Sequence, residues 1–240
     1  MTIGTKSLLF GVHQILLHPL FVAAAWKRLY SFPWDPRLWV AFFLHDIGYF
    51  GCSDMDREEG ARHPEWGAAL MWWLFDRRWA TSQRRVGNEL RYGLPNPIAH
   101  LCDWIWGRKT IPPEKSYHWY WYTFTVTHSR HYAKRLGMSP SRLCVADKLS
   151  LALMPWWLYL SLANLTGEID EYMRHAAMRV EVSETNMNQG EIHGLLSGDQ
   201  RLWFSGLQSY FRRWAEAHHN NQDDDWTRLD TREKEAVSWK

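Results

Sequence analysis

Cysteine is scarce: Cys52, Cys102 and Cys144 lie far apart with no CxxC pair. That spacing argues against a disulfide framework and against a zinc knuckle, and it makes a reducing cytoplasm the expected compartment. Charge of one sign is also lacking. A formal charge of +2 creates no field that would gather nucleic acid, so any partner must be argued from local features. A membrane-spanning run is missing too. The nearest stretch, LSLALMPWWLYLSLANL at 149–165, is uncharged but slightly short and carries Pro155 in its middle. The expectation there is a buried or partly interfacial helix, without a membrane span. At the N-terminus one lysine precedes a short apolar stretch, but His13, Gln14 and His18 interrupt it and no small-residue cleavage site follows. No signal peptide is expected. Neither a repeat nor a sustained alternation of strand type is present, so the chain reads as all-α.

What is abundant is apolar and aromatic. The 240 residues are 46% hydrophobic and 22% charged, enough to bury a core in one domain with an extension or in two small domains. Seventeen tryptophans imply a thick aromatic core, a stacking pocket or a membrane-facing belt, with core the commonest outcome. The division read from composition is a helical domain over 1–180, followed over 181–240 by a linker, an amphipathic helix and a charged tail. The linker is the Gly-, Asn- and Ser-containing stretch 183–200, the helix RLWFSGLQSYFRRWAEAHH spans 201–219, and Arg212 and Arg213 on it suggest a solvated face or an oligomer contact.

Pro19 directly follows His18, and proline is favoured in a first helical turn, so His18 stands at the start of a helix over 19–30. RLWVAFFLHDIGYF (37–50) reads as a buried helix ending near Gly48 or Gly51, with His45 and Asp46 in its last turns. CSDMDREEGAR reads as a polar loop. HPEWGAALMWWLFDRRW (63–79) again sets proline after histidine, so His63 opens another helix. Short helices and loops are expected over 80–116. HWYWYTFTVTHSRHYAKRLG (118–137) reads as a helix stopped by Gly137, and Ser139 or Ser141 caps a long apolar helix containing Asp147. A further helix follows Gly167.

Six polar residues in apolar or helix-end settings stand out: His18, His45, Asp46, His63, His128 and Asp147. Buried without partners they would cost several kcal/mol. Four imidazoles and two carboxylates form a nitrogen and oxygen donor set suited to iron, manganese, cobalt, nickel or zinc. Side chains projecting inward from facing helices can meet in a bundle centre. Six ligands exceed what one catalytic zinc uses, so two ions bridged by an aspartate are the natural arrangement.

The ordered motifs carrying these residues are HxxxVxxAW at 18–26, FLHDIGYFG at 43–51, RHPEWGA at 62–68, THSRHYAK at 127–134 and VADKL at 145–149. Together they resemble the HD-domain metal-dependent phosphohydrolase superfamily over about 18–165. The resemblance implies an HD-type helical bundle with His18, His45, Asp46, His63, His128 and Asp147 as ligands and Asp46 as the bridge. His131, His118 and His100 lie near enough in sequence to compete with His128. Glu59, and Glu58 beside it, occupy a position where some members keep an acid that helps position water; a solvated loop is the plain alternative. Lys148, Arg130 and Lys134 are cations suited to a phosphate or to surface salt bridges. The catalytic set read from the sequence is therefore Asp46, Lys148, Arg130 and Glu59.

Three functions follow from that resemblance. The first is a phosphohydrolase of a nucleotide or other small phosphate ester. The second is a mixed-valent di-iron oxygenase acting on a small organic substrate, for which HDIGYF and the same six ligands are also suited. The third is a non-catalytic HD-fold binding module. The oligomeric state, a homodimer included, is left open.

Overall fold

Prolines and short polar caps decide where the helices begin. The computed structural model describes residues 1–55, 58–76, 85–86, 89–90, 120–181 and 194–220. Helix α1 (Ile3–Phe10) is followed by α2 (His18–Leu29), with Pro19 in its first turn. Helix α3 (Pro36–Leu44) is capped by Asp35, whose carboxylate accepts the Arg37 N–H at 2.9 Å. A short α4 (Glu58–Ala61) precedes α5 (Pro64–Met71), which runs into a π-helical turn at Trp72–Asp76. Next come α6 (Tyr120–Val126), α7 (Arg130–Leu136) and α8 (Arg142–Leu153), the last capped by Ser141. Then follow α9 (Trp156–Thr166), α10 (Glu168–Glu181) and α11 (Gln200–His218), which is capped by Asp199. The fold is an all-α bundle. Among the described residues the exception is a two-residue antiparallel ribbon, Arg85–Val86 with Glu89–Leu90, inside the stretch expected to hold short helices and loops. The rest of 80–116, residues 182–193 of the expected linker and the tail from 221 lie outside the described residues.

Several expected helices are broken, and two breaks fall on candidate ligands. The 37–50 helix stops at Leu44; Asp46 turns to φ −98°, ψ 0°, and Ile47–Tyr49 form a 3₁₀ turn. The 118–137 helix divides at residues 127–129, leaving His128 between α6 and α7. The apolar helix around Asp147 ends at Leu153, because Met154 is extended ahead of Pro155, and α9 leaves at 100° to α8. The expected polar loop at 52–62 contains α4.

Helix α8 is the axis of the main core. Its Leu143, Val145, Ala146 and Leu149 join Val22 and Trp26 of α2, Phe42 of α3, Phe124 of α6 and Trp214 of α11. A second cluster unites Val12, Met154, Tyr159, Ile169, Trp203 and Phe204. Helix α11 packs directly on this frame. The Gln208 amide and the Arg212 guanidinium each donate at 2.8 Å, to the Met154 and Ala152 carbonyls, satisfying acceptors that the end of α8 leaves open. Arg212, exposed like Arg213 on the expected solvated face, thus also serves the fold. The tryptophans divide: Trp26, Trp121, Trp203 and Trp214 are core, whereas Trp156 and Trp157 of the PWW run face outward, Trp156 beneath the Arg201 guanidinium at 4.2 Å. No single helix among the described residues is long and apolar enough to cross a membrane.

Candidate metal centre

Each candidate ligand stands where the local chain is already constrained. His18 opens α2, His45 caps the C-terminus of α3, Asp46 occupies the turn after it, His63 caps the N-terminus of α5, His128 sits in the break before α7, and Asp147 projects from α8. Two glycines of the quoted motifs let these pieces approach. A Cβ on Gly48 would meet the His63 carbonyl carbon at 2.7 Å and its Cα at 2.8 Å; one on Gly67 would meet the Leu44 carbonyl carbon at 3.0 Å and the His45 Cα at 3.2 Å. Those glycines therefore press the His63 segment against the His45–Asp46 turn.

The six side chains form two clusters that share Asp46. In the first, His18 Nε2 lies 3.0 Å from Asp147 Oδ1, 3.3 Å from His45 Nε2 and 3.3 Å from Asp46 Oδ2. His45 Nε2 lies 3.2 Å from the same Asp46 oxygen and 3.6 Å from Asp147. In the second, His63 Nε2 and His128 Nε2 stand 3.0 Å apart and lie 3.5 and 3.4 Å from Asp46 Oδ1. Ligands about 2.0–2.2 Å from one ion stand roughly 3.0–3.6 Å from one another in octahedral or tetrahedral arrangements. Both clusters have that spacing.

Tautomers strengthen the fit. His45 Nδ1 donates to the Phe42 carbonyl at 2.9 Å, His63 Nδ1 to Gly60 at 2.6 Å and His128 Nδ1 to Thr125 at 2.6 Å. With its Nδ1 proton so placed, each ring in its ligating, neutral form would aim an Nε2 lone pair inward, the arrangement in which backbone carbonyls orient metal-bound imidazoles. Two such lone pairs facing at 3.0 Å repel unless something positive lies between them. Asp46 Oδ2 is buried and accepts no hydrogen bond of good geometry, although two imidazoles flank it. That orphaned carboxylate oxygen and the facing nitrogens fit a pair of divalent ions.

The electrostatics agree. Burial alone would lower His45, but Asp46 and Asp147 outweigh it and push the imidazole up to about 10. His18 is raised against burial by the same two carboxylates. Burial would raise Asp46 and Asp147; the surrounding imidazoles instead hold both well below the usual carboxylate range. His63 is brought down to about 3 by burial and by His128. Without metal, protons on His18 and His45 take the place of positive charge in the first cluster. His18 and His45 are each 1% exposed and Asp147 19%, so the site opens on the Asp147 side.

The other sequence candidates lie elsewhere. Lys148 places its ammonium over the rings of Phe211 and Trp214, at 5.3 and 5.9 Å, and makes no ion pair with the six. Arg130 donates to the Tyr210 hydroxyl at 3.1 Å and covers Trp214. Both cations thus anchor α11. Glu59 is exposed and accepts the Ser53 N–H at 3.0 Å, with the Ser53 hydroxyl also against it; these hydrogen bonds lower its pKa. It makes no contact with the six ligands. His131 is exposed, while His100 and His118 lie outside the described residues.

Supporting residues were not read from the sequence. Tyr49 stacks on His63 with ring centroids 4.1 Å apart. Glu65 of the HPE motif accepts from the Tyr132 hydroxyl, tying α5 to α7. Glu168, fully buried, accepts from Ser7 Oγ at 2.7 Å, Val12 N at 2.8 Å and Thr166 Oγ1 at 2.8 Å, fixing the turn that leads into His18. The E of HPEWGA was a signal for the second of these; a lone Glu at the start of an amphipathic helix gave none for the third.

No family model, curated protein or solved structure matches the chain. Fold and site by themselves define an all-helical protein with two His/Asp clusters consistent with a binuclear metal centre, in the general HD-type pattern.

Proposed function

We propose that the protein is a metal-dependent phosphohydrolase acting on a nucleotide or other small phosphate ester. The observation that carries this reading is the division of one carboxylate between the clusters, Asp46 Oδ2 toward His18, His45 and Asp147 and Oδ1 toward His63 and His128. Two ions so held would polarise a phosphoryl oxygen and lower the pKa of a water between them. The chain's own residues do the rest. Asp46 sets the spacing, the Phe42, Gly60 and Thr125 carbonyls hold three imidazoles in the ligating tautomer, and burial strengthens every charge in the site. The more open Asp147 edge admits the substrate. The resemblance to HD-domain phosphohydrolases supports the same reaction class.

A second reading, the di-iron oxygenase, is favoured by the donor set itself, since four imidazoles and two carboxylates suit iron as well as manganese, cobalt, nickel or zinc. The deciding experiment is a panel of nucleotides and phosphate esters with each of these metals. Phosphate release that Asp46→Ala abolishes supports the hydrolase. Turnover only with O₂ consumption and no phosphate released from any member overturns it in favour of the oxygenase. A binding function that survives both His45→Ala and Asp46→Ala would instead make the chain a non-catalytic module.

A further inference from the structure

Helix α10 carries Glu171 and His175 four residues apart, so both side chains leave the same face. That face is turned inward: Glu171 is buried and His175 is only 6% exposed. Opposite them runs the 52–55 loop, whose Asp54 Oδ2 stands 3.7 Å from His175 Nε2. One ligand atom from each of the three residues lies within 4.8 Å of the other two. A separation of 3.7 Å is long for a hydrogen bond, yet close to the roughly 3.3–3.6 Å between two ligands of one tetrahedral ion. None of these residues belongs to the Asp46 centre.

The loop is held in place before any ion arrives. Its Met55 N–H donates to Glu171 Oε1 at 2.6 Å, a bond that fixes the carboxylate's orientation. Cys52 and Met55 are packed with Leu8 and Tyr49, and the Gly4 N–H donates to the Cys52 carbonyl at 3.0 Å. The Cys52 thiol donates to the Asp54 carbonyl at 3.1 Å and is not among the converging ligand atoms, so the donor set is one nitrogen and two carboxylates. Two carboxylates and one imidazole, two of the three residues buried, make a mixed oxygen and nitrogen donor set of the kind divalent cations take.

We propose that Asp54, Glu171 and His175 form a further divalent-metal site, suited to zinc or manganese with water completing the shell. Its role is structural. The ion clips the loop that leads through α4 to His63 onto α10, so it braces one wall of the main centre from outside.

The test is zinc counting on the full chain after gel filtration from zinc-containing buffer. The wild type holds about three ions per chain and Asp54→Asn about two; His175→Gln, if folded by circular dichroism, matches Asp54→Asn. Adding Asp54→Asn to Asp46→Ala separates this site from the main one, because the double variant loses one more ion than Asp46→Ala alone whatever becomes of the Asp46 pair. Equal zinc in Asp46→Ala and in the double variant overturns the proposal.

Discussion

Replacing Gly48 by alanine tests whether close backbone approach assembles the metal centre. The new methyl group would sit 2.7 Å from the His63 carbonyl carbon and 2.8 Å from its Cα, and closer still to the carbonyl oxygen. Carbon contacts relax near 3.5 Å, so the His63 backbone must withdraw by about 1 Å. Metal bonds tolerate about 0.2 Å, and His63 Nε2 starts 3.0 Å from its partner nitrogen on His128. The shift therefore removes His63 as a ligand. The His63/His128 half should lose more than about a hundredfold in affinity, beyond what losing a supporting hydrogen bond costs. Overpacking of this kind costs about 1–3 kcal/mol, which for a chain of this size lowers the melting temperature by roughly 2–10 °C. Metal analysis after dialysis, with a thermal melt on the same sample, reads both effects. Gly51→Ala is the control: its φ of +85° is strained for alanine, but nothing lies within 4 Å, so it should lower the melt by a few degrees and leave the metal in place. A Gly48→Ala protein with wild-type metal content and wild-type melting would refute the packing argument.

Asp46→Asn preserves shape but removes the charge both clusters share, so most bound metal and all activity should disappear while circular dichroism stays helical; full metal occupancy would contradict the bridging role. Because His45 in the metal-free protein is raised to about 10 and His18 is raised as well, metal entry near pH 7 must expel at least one proton, which calorimetry in buffers of different ionisation enthalpy will detect. Stability should fall in acid for the metal-free protein: His63 is lowered to about 3 from 6.5, so its contribution is present above pH 6.5 and is lost as pH falls toward 3. A metal-free melting temperature unchanged from pH 7 to pH 4 would count against that environment. Trp214→Ala, which empties a core position beneath Arg130 and Lys148, should cost about 3–5 kcal/mol by chemical denaturation.

The six clustered residues were legible because their settings are unusual: imidazoles and carboxylates at the ends of apolar helices need partners, and two of the histidines precede a proline that fixes a helix start. The cations were not. Lys148 adjoins Asp147 in sequence, but successive residues of a helix point about 100° apart, which sends the aspartate to the metal centre and the lysine to α11. The broken helices had local signals that the helical readings passed over: the polar run Thr127–His128–Ser129 interrupts the apolar pattern, and Pro155 disfavours helix at Met154. The Asp54 cluster was hidden for a different reason. Glu171 and His175 look like solvent-facing residues of an amphipathic helix until the 52–55 loop, more than a hundred residues earlier in the chain, covers that face.

The two-ion centre shared by Asp46 is the claim on which the rest depends, and anomalous diffraction from crystals of the manganese-loaded protein tests it most directly. The account predicts two peaks about 3.5–4 Å apart on either side of the Asp46 carboxylate, one facing His18, His45 and Asp147 and the other His63 and His128. A map without peaks there, or a single peak out of reach of Asp46, would contradict it.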